Sequence, residues 1–273
     1  MGLFMPIYRG SYSPAHDPAG GGGGGDANTE TTAWANAVTG DGGTINSTHR
    51  SAIDTFITSA KSNGYFSKLD RLWVFKAANS QSALRDIVAA AQATATSSPT
   101  FTTTAGYAGN GSSAYIDSNF NPTTAGSPKF TQDSACLFAW SNTSGSEGGA
   151  IAGNAGGGGH TYMYPKFVDT GFYSGCQDSG YAFVNSHLVD GIGFFACNRS
   201  NSSSEQAYVN GGADGTTTSN TSVSIHNSTL RFLSGDTTFT SRVCLAGGFG
   251  QSLTSTEHGN LYTDLNTLLA AIT

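Results

Sequence analysis

Apolar positions along the chain fall into two textures. In residues 46–63 they recur at three- and four-residue spacing, so Ala52, Ile53, Phe56, Ile57 and Ala60 share one face. Asn46 or Ser47 can cap that run and Asn63-Gly64 closes it, so the spacing predicts a helix. The run from Arg71 to Lys76, with Leu72, Trp73, Val74 and Phe75 between its charged ends, is apolar and aromatic enough for a strand buried on both faces. Residues 80–93 read as a second short helix, with Leu84, Ile87 and Val88 on one side. From residue 100 the texture changes. Short apolar runs at 100–103, 114–117, 135–140, 161–167, 191–197, 206–209, 222–225, 229–233 and 242–246 alternate with Gly, Asn and Ser. Regular spacing with turn signals between runs predicts an antiparallel sandwich. The stretches 145–159 and 214–221 interrupt it and read as rim loops.

The last quarter is the most explicit. The run 206–209 ends in Asn210-Gly211, a pair suited to a tight turn between antiparallel strands. The run at 244 closes in a glycine break, Gly247 to Gly250. Thr254 followed by Glu257 forms a capping box, and Leu261, Leu265, Leu268, Leu269 and Ile272 then line one helical face. The predicted architecture is mainly β: an antiparallel jelly-roll β-sandwich over residues 100–250, a helical lead-in over 46–93 and a C-terminal helix over 255–271. Residues 1–32 read as an extended arm and 33–273 as one domain. In the arm, Leu3, Phe4, Ile7 and Tyr8 precede the glycine run 20–25. It is either a solvating tail or a tether whose apolar residues dock on a partner.

Composition narrows function mainly by exclusion. Only 11% of residues are charged, against about 25% in ordinary soluble domains. The net charge of −6 argues against a broad phosphate-binding face, hence against nucleic acid. No apolar run approaches the ~20 residues of a membrane helix. Residues 1–6 lack the pattern of a signal peptide, so synthesis in the cytoplasm is expected. Phosphate-loop, nucleophile-elbow and His-Glu-x-x-His motifs are absent. The six histidines are scattered, and His258 is expected on a helix surface. Asp117, Asp133, Glu147, Asp169, Asp178, Asp190 and Glu205 offer carboxylates, but nothing in the sequence marks a pair. No enzymatic activity and no cofactor are expected.

Three features remain as candidate chemistry. Asp117-x-Asn119-x-Asn121 has the oxygen spacing that opens a calcium loop, but Pro122 and Pro128 stand where Gly and Glu belong, so an Asx-rich turn is the plainer expectation. Tyr173 and Tyr181, in a Gly/Ser context, are candidate glycan contacts. Cys136, Cys197 and Cys244 lie in apolar runs, whereas Cys176 beside Gly175 looks like a loop cysteine. Four cysteines allow three full pairings, and sequence does not choose among them.

The order of several segments resembles a known family. Tyr107 to Asp117, Tyr208-Val209-Asn210-Gly211, and Gly250 to Thr254 with Glu257 and Leu261-Tyr262 look like the laminin-G-like or concanavalin A-like jelly roll. The block from Asp70-Arg71-Leu72-Trp73 through Tyr115-Ile116-Asp117 to Ala139-Trp140 resembles a domain of tailed-phage and prophage virion proteins. The resemblance covers roughly residues 33–273. It implies a virion structural protein, such as a head or neck decoration, tail or fibre component. Such a protein would be a homo-oligomer docked to other virion proteins by its arm. The alternative is a carbohydrate-binding module that recognises host-surface glycans; glycan hydrolysis ranks behind both.

Overall fold

The computed structural model describes residues 25–154, 160–167, 171–178, 184–185, 190–235 and 237–273. Four helices are α1 (Thr29–Gly40), α2 (Ser47–Ser62), the single turn α3 (Ser80–Ala83) and α4 (Ser255–Ala271). The first six strands are β1 (Leu69–Val74), β2 (Thr94–Thr96), β3 (Thr100–Thr102), β4 (Gly106–Ala108), β5 (Tyr115–Asp117) and β6 (Ala135–Asn142). Next come β7 (Ala152–Asn154), β8 (His160–Tyr164), β9 (Phe172–Asp178), β10 (Val184–Asn185), β11 (Ile192–Asn201) and β12 (Ser204–Val209). The remainder are β13 (Gly212–Ser219), β14 (Leu230–Phe232), β15 (Ser234–Gly235), β16 (Thr238–Phe239) and β17 (Val243–Gly250).

The strands form an antiparallel sandwich. One sheet has eight strands in the order β13-β12-β11-β6-β17-β4-β3, with β1 also paired to β17. The other has seven, β10-β9-β8-β7-β14-β5-β2, and β15 and β16 pair as a separate small hairpin. Strand alternation sorts the eight-stranded sheet into two faces. Trp73, Leu137, Ala139, Phe195 and Phe249 enter the core between the sheets, where they meet Ile116, Met163, Phe172 and Phe232. Leu72, Val74, Phe138, Phe194 and Ala196 point the other way, against Ile53, Phe56, Ile57, Leu261 and Leu265 of the helices. The molecule is therefore a three-layer stack of helices, large sheet and smaller sheet.

Local chemistry explains the helical layer. Asn46 accepts the His49 amide at the start of α2, and the Thr254–Glu257 capping box is complete at the start of α4. Asp264 of α4 accepts hydrogen bonds from Ser59, Asn63 and Tyr65, which ties α4 to the end of α2. Asp54 of α2 accepts the amides of Ala27 and Asn28 just before α1. Helix α1 thus starts inside the stretch assigned to the arm, and Asp26, ion-paired with Arg50, is already part of the fold. Among the described residues no helix is long and apolar enough to cross a membrane.

Several sequence expectations are corrected. Within the lead-in over 46–93, β1 is the expected strand and lies in the large sheet, but 80–93 keeps only the turn α3 instead of a helix. Its Ala-rich end does not propagate because the buried Asp86 carboxylate collects the amides of Val88, Ala89 and Ala91, with Ala90 at φ +53°. Residues 214–221 are mostly strand β13 rather than loop, whereas 222–225 contributes only a single bridge, Ser222 to Asp178. Gly247, Gly248 and Gly250 do not break β17. The rings of Phe232 and Phe138 and the carbonyl of Lys68 crowd the space where a Cβ would stand at those three positions. Cys176 lies buried in β9, not in a loop. His258 is fully buried, stacked 3.8 Å from Tyr208.

Candidate functional site

The outward face of the seven-stranded sheet carries a different set of side chains. Its inward positions, Ile116, Leu230, Phe232, Ala152, Met163 and Phe172, belong to the core, so their neighbours along each strand face out. Register aligns those neighbours into one row across five strand pairs. Thr94 stands opposite Asp117, Asp117 opposite Arg231, Arg231 opposite Gly153, Gly153 opposite Tyr162, and Tyr162 opposite Gly175. A parallel row begins with Thr96 opposite Tyr115, and Tyr164 stands opposite Tyr173.

The hairpin of β15 and β16 divides this face. Gly235 lies directly on Gly153: a Cβ on Gly153 would come 2.9 Å from the Gly235 Cα. On one side, the Thr238 hydroxyl meets the Tyr164 hydroxyl at 3.1 Å; on the other, the Phe239 ring lies 6.2 Å from that of Tyr115. Beyond Thr238, Tyr162, Tyr164, Phe167 and Tyr173 pack into a small aromatic cluster. Tyr162 covers the bare backbone of Gly175. Beyond Phe239 the face is polar. The Arg231 guanidinium lies 4.2 Å over the Tyr115 ring, with its Nε 3.5 Å from an Asp117 oxygen. Among the described residues that Nε has no hydrogen-bond partner. Asp117 is held in turn by the Thr229 hydroxyl and the Asn119 amide.

This half can hold a hydroxyl-rich ligand. A guanidinium presents a planar set of donors, a carboxylate presents acceptors, and an aromatic ring offers a face. Exposed Thr94 and Asn119 border the patch. The strand patterns Leu230-Arg231-Phe232 and Tyr115-Ile116-Asp117 carry the signal for these outward side chains. Their meeting depends on register between segments more than a hundred residues apart, which the sequence reading did not supply.

The other sequence candidates are placed as follows. Asp117, Asn119 and Asn121 fall into separate hydrogen-bond sets. Asp117 faces Arg231 and Thr229; Asn119 donates to Gln92 and Thr94; Asn121 donates to Asn227 and accepts from Thr123. Beside Asp117 stands a cation rather than a second carboxylate. Among the described residues no group of three or more His, Cys, Asp or Glu side chains is arranged to hold a metal ion. Tyr173 is half-buried, its ring 4.9 Å from that of Phe167. Tyr181 and the arm residues Leu3, Phe4, Ile7 and Tyr8 lie outside the described residues. Glu205 sits between the sheets, where burial pushes its carboxyl up to about 8 against the opposing influence of Arg199, 3.1 Å away.

No protein-family model matches the chain, and none of the curated proteins matches it. Solved structures do. A Trypanosoma rangeli sialidase mutant with trans-sialidase activity superposes on 79% of this chain with a TM-score of 0.56 at 12% identity. The same sialidase bound to 2,3-difluorosialic acid as a covalent intermediate covers 80% at 0.52, also at 12% identity. The botulinum neurotoxin serotype D binding domain covers 72% at 0.51 and 11% identity. The chain spans 39% of the sialidases' length and 52% of the toxin domain's. At such identity the likeness establishes the β-sandwich alone. It corrects one expectation: sialidases are enzymes that contain this architecture, so a protein without enzymatic activity does not follow from the fold.

Proposed function

We propose that this chain is a carbohydrate-binding β-sandwich whose ligand lies on the polar half of the seven-stranded sheet. The observation that carries the reading is Arg231, partly exposed on β14, with its guanidinium over the Tyr115 ring and its Nε turned inward against Asp117. The outer edge of a partly exposed guanidinium beside an aromatic face suits sugar hydroxyls and ring carbons, and strands hold such a site more firmly than loops do. Structures sharing the fold include a sialidase in complex with sialic acid, which makes a saccharide the first ligand class to test. A glycan array probed with the full chain and with Arg231→Ala tests the reading. Reproducible binding by the unmodified chain, weakened at least about tenfold by the substitution, supports it. No binding, or binding indifferent to residue 231, overturns it.

The same proposal places the module on a phage particle, docked to other virion proteins through Leu3, Phe4, Ile7 and Tyr8. Its support is the sequence resemblance. Deleting residues 1–24 should leave the sandwich folded and abolish incorporation into particles; normal incorporation would count against the docking role.

A further inference from the structure

Four buried thiols lie in this fold, and two of them meet. Cys176 on β9 of the seven-stranded sheet and Cys197 on β11 of the eight-stranded sheet face each other across the core, with their sulfurs 2.8 Å apart. That is well inside the contact distance of two unbonded sulfur atoms. An adjustment of less than about 1 Å brings them to the bond length of about 2.05 Å. The other two thiols are placed differently. Cys136 points into the helix-facing core, and Cys244 donates to the Ala246 carbonyl.

The surroundings hold the pair in place. The Glu205 carboxylate accepts the Cys176 amide at 2.6 Å, and Arg199 Nε donates to the Cys176 carbonyl at 2.5 Å. Arg199 and Glu205 are themselves ion-paired at 3.1 Å. Buried polar side chains are stabilising only when their hydrogen-bonding capacity is used, and here it is used on the Cys176 peptide and the Asn220 carbonyl. Because Arg199 and Glu205 both belong to the eight-stranded sheet, they fix a strand of the opposite sheet at the position where its thiol faces Cys197.

We propose that Cys176 and Cys197 are an oxidisable pair that forms a disulfide joining the two sheets, closed by exchange with a small-molecule disulfide such as oxidised glutathione. The steps balance. One cysteine thiolate attacks the small disulfide, forms a mixed disulfide and expels one thiol. The second cysteine, having lost its proton, attacks the protein sulfur of that mixed disulfide and expels the second thiol. Two cysteine thiols are oxidised and one small disulfide is reduced to two thiols. Burial raises both thiols above their ordinary range, so exchange is slow in the closed sandwich and proceeds as the sheets come together.

The test uses the full chain purified under reductant, unfolded, and refolded with or without oxidised glutathione. Each sample is then denatured without reductant, alkylated with N-ethylmaleimide and mapped by peptide mass spectrometry. The expected result is a cross-linked peptide joining Cys176 to Cys197 in the oxidised sample, with Cys136 and Cys244 both alkylated. The midpoint of urea unfolding should rise by roughly 1 M over the reduced protein. Cys136→Ala/Cys244→Ala should retain that shift and Cys197→Ala should lose it. Four alkylated cysteines after oxidative refolding, or a bond in any other pairing, would overturn the proposal. The mapping is decided on the unmodified chain even if a variant fails to fold.

Discussion

The two outward faces of the sandwich have opposite fates. On the eight-stranded sheet, Leu72, Phe138 and Phe194 alternate outward and are sealed beneath α1, α2 and α4. On the seven-stranded sheet, the equivalent alternation brings out Thr94, Tyr115, Asp117 and Arg231, beside which, among the described residues, the small hairpin lies. One face is spent on burial and supports the fold. The other keeps polar and aromatic side chains within reach of solvent, with Thr94 exposed and Tyr115, Asp117 and Arg231 partly so. On the proposed function, stability and recognition are thereby separated onto different sheets, and changes on one should leave the other almost untouched.

Mutations can break that separation or sharpen it. The largest effect is expected under the helices: Leu265→Ala, at a fully buried position, should cost about 3 kcal/mol in urea unfolding without altering glycan affinity of the folded protein. A loss of affinity as large as the loss of stability would show the faces to be coupled. Acid comes next. Burial holds His258 down to about 3 and His49 to about 4. The unfolded chain therefore binds protons that the folded one refuses, and stability should fall as pH drops below about 6.5. At pH 4.5 the loss for His258 alone is on the order of 2 kcal/mol. Thermal unfolding of His258→Phe across that range should show a shallower decline, with the His49 part remaining. Smaller still is the capping box, where Thr254→Ala should cost about 1 kcal/mol by urea titration. Smallest in stability is Arg231→Ala, within about 0.5 kcal/mol by the same assay, although saccharide binding drops.

What the sequence disclosed follows the same division. Helix α2, the capped α4 and the two faces of β1 were legible because each is announced within some fifteen residues by caps and periodicity. The Asn210-Gly211 turn was legible too, with both residues at positive φ. Helix α1 was not read as a helix. Its Thr- and Asn-rich stretch is weakly helical by itself and relies on Trp34 and Val38 packing and on Asp54 holding its leading amides. Residues 80–93 misled in the opposite sense, because Ala propensity is outweighed by one buried carboxylate. His258 was read as exposed since a single histidine on a polar stretch gives no hint of the Tyr208 ring above it. The row from Thr94 to Gly175 joins six strands, and adjacency across strands is a property of pairing rather than of local pattern.

The hairpin resting on Gly153 has a consequence for the contour of the outward face. The divider stays low because two glycines meet there without side chains. A single methyl group at residue 153 would meet the Thr161 carbonyl at 2.6 Å and the Gly235 Cα at 2.9 Å, so the hairpin would ride higher and the partition would grow taller. The height of that wall is thus set by two hydrogen atoms in the middle of a sheet, and an alanine there would recontour the face while leaving Tyr115, Asp117 and Arg231 as they are.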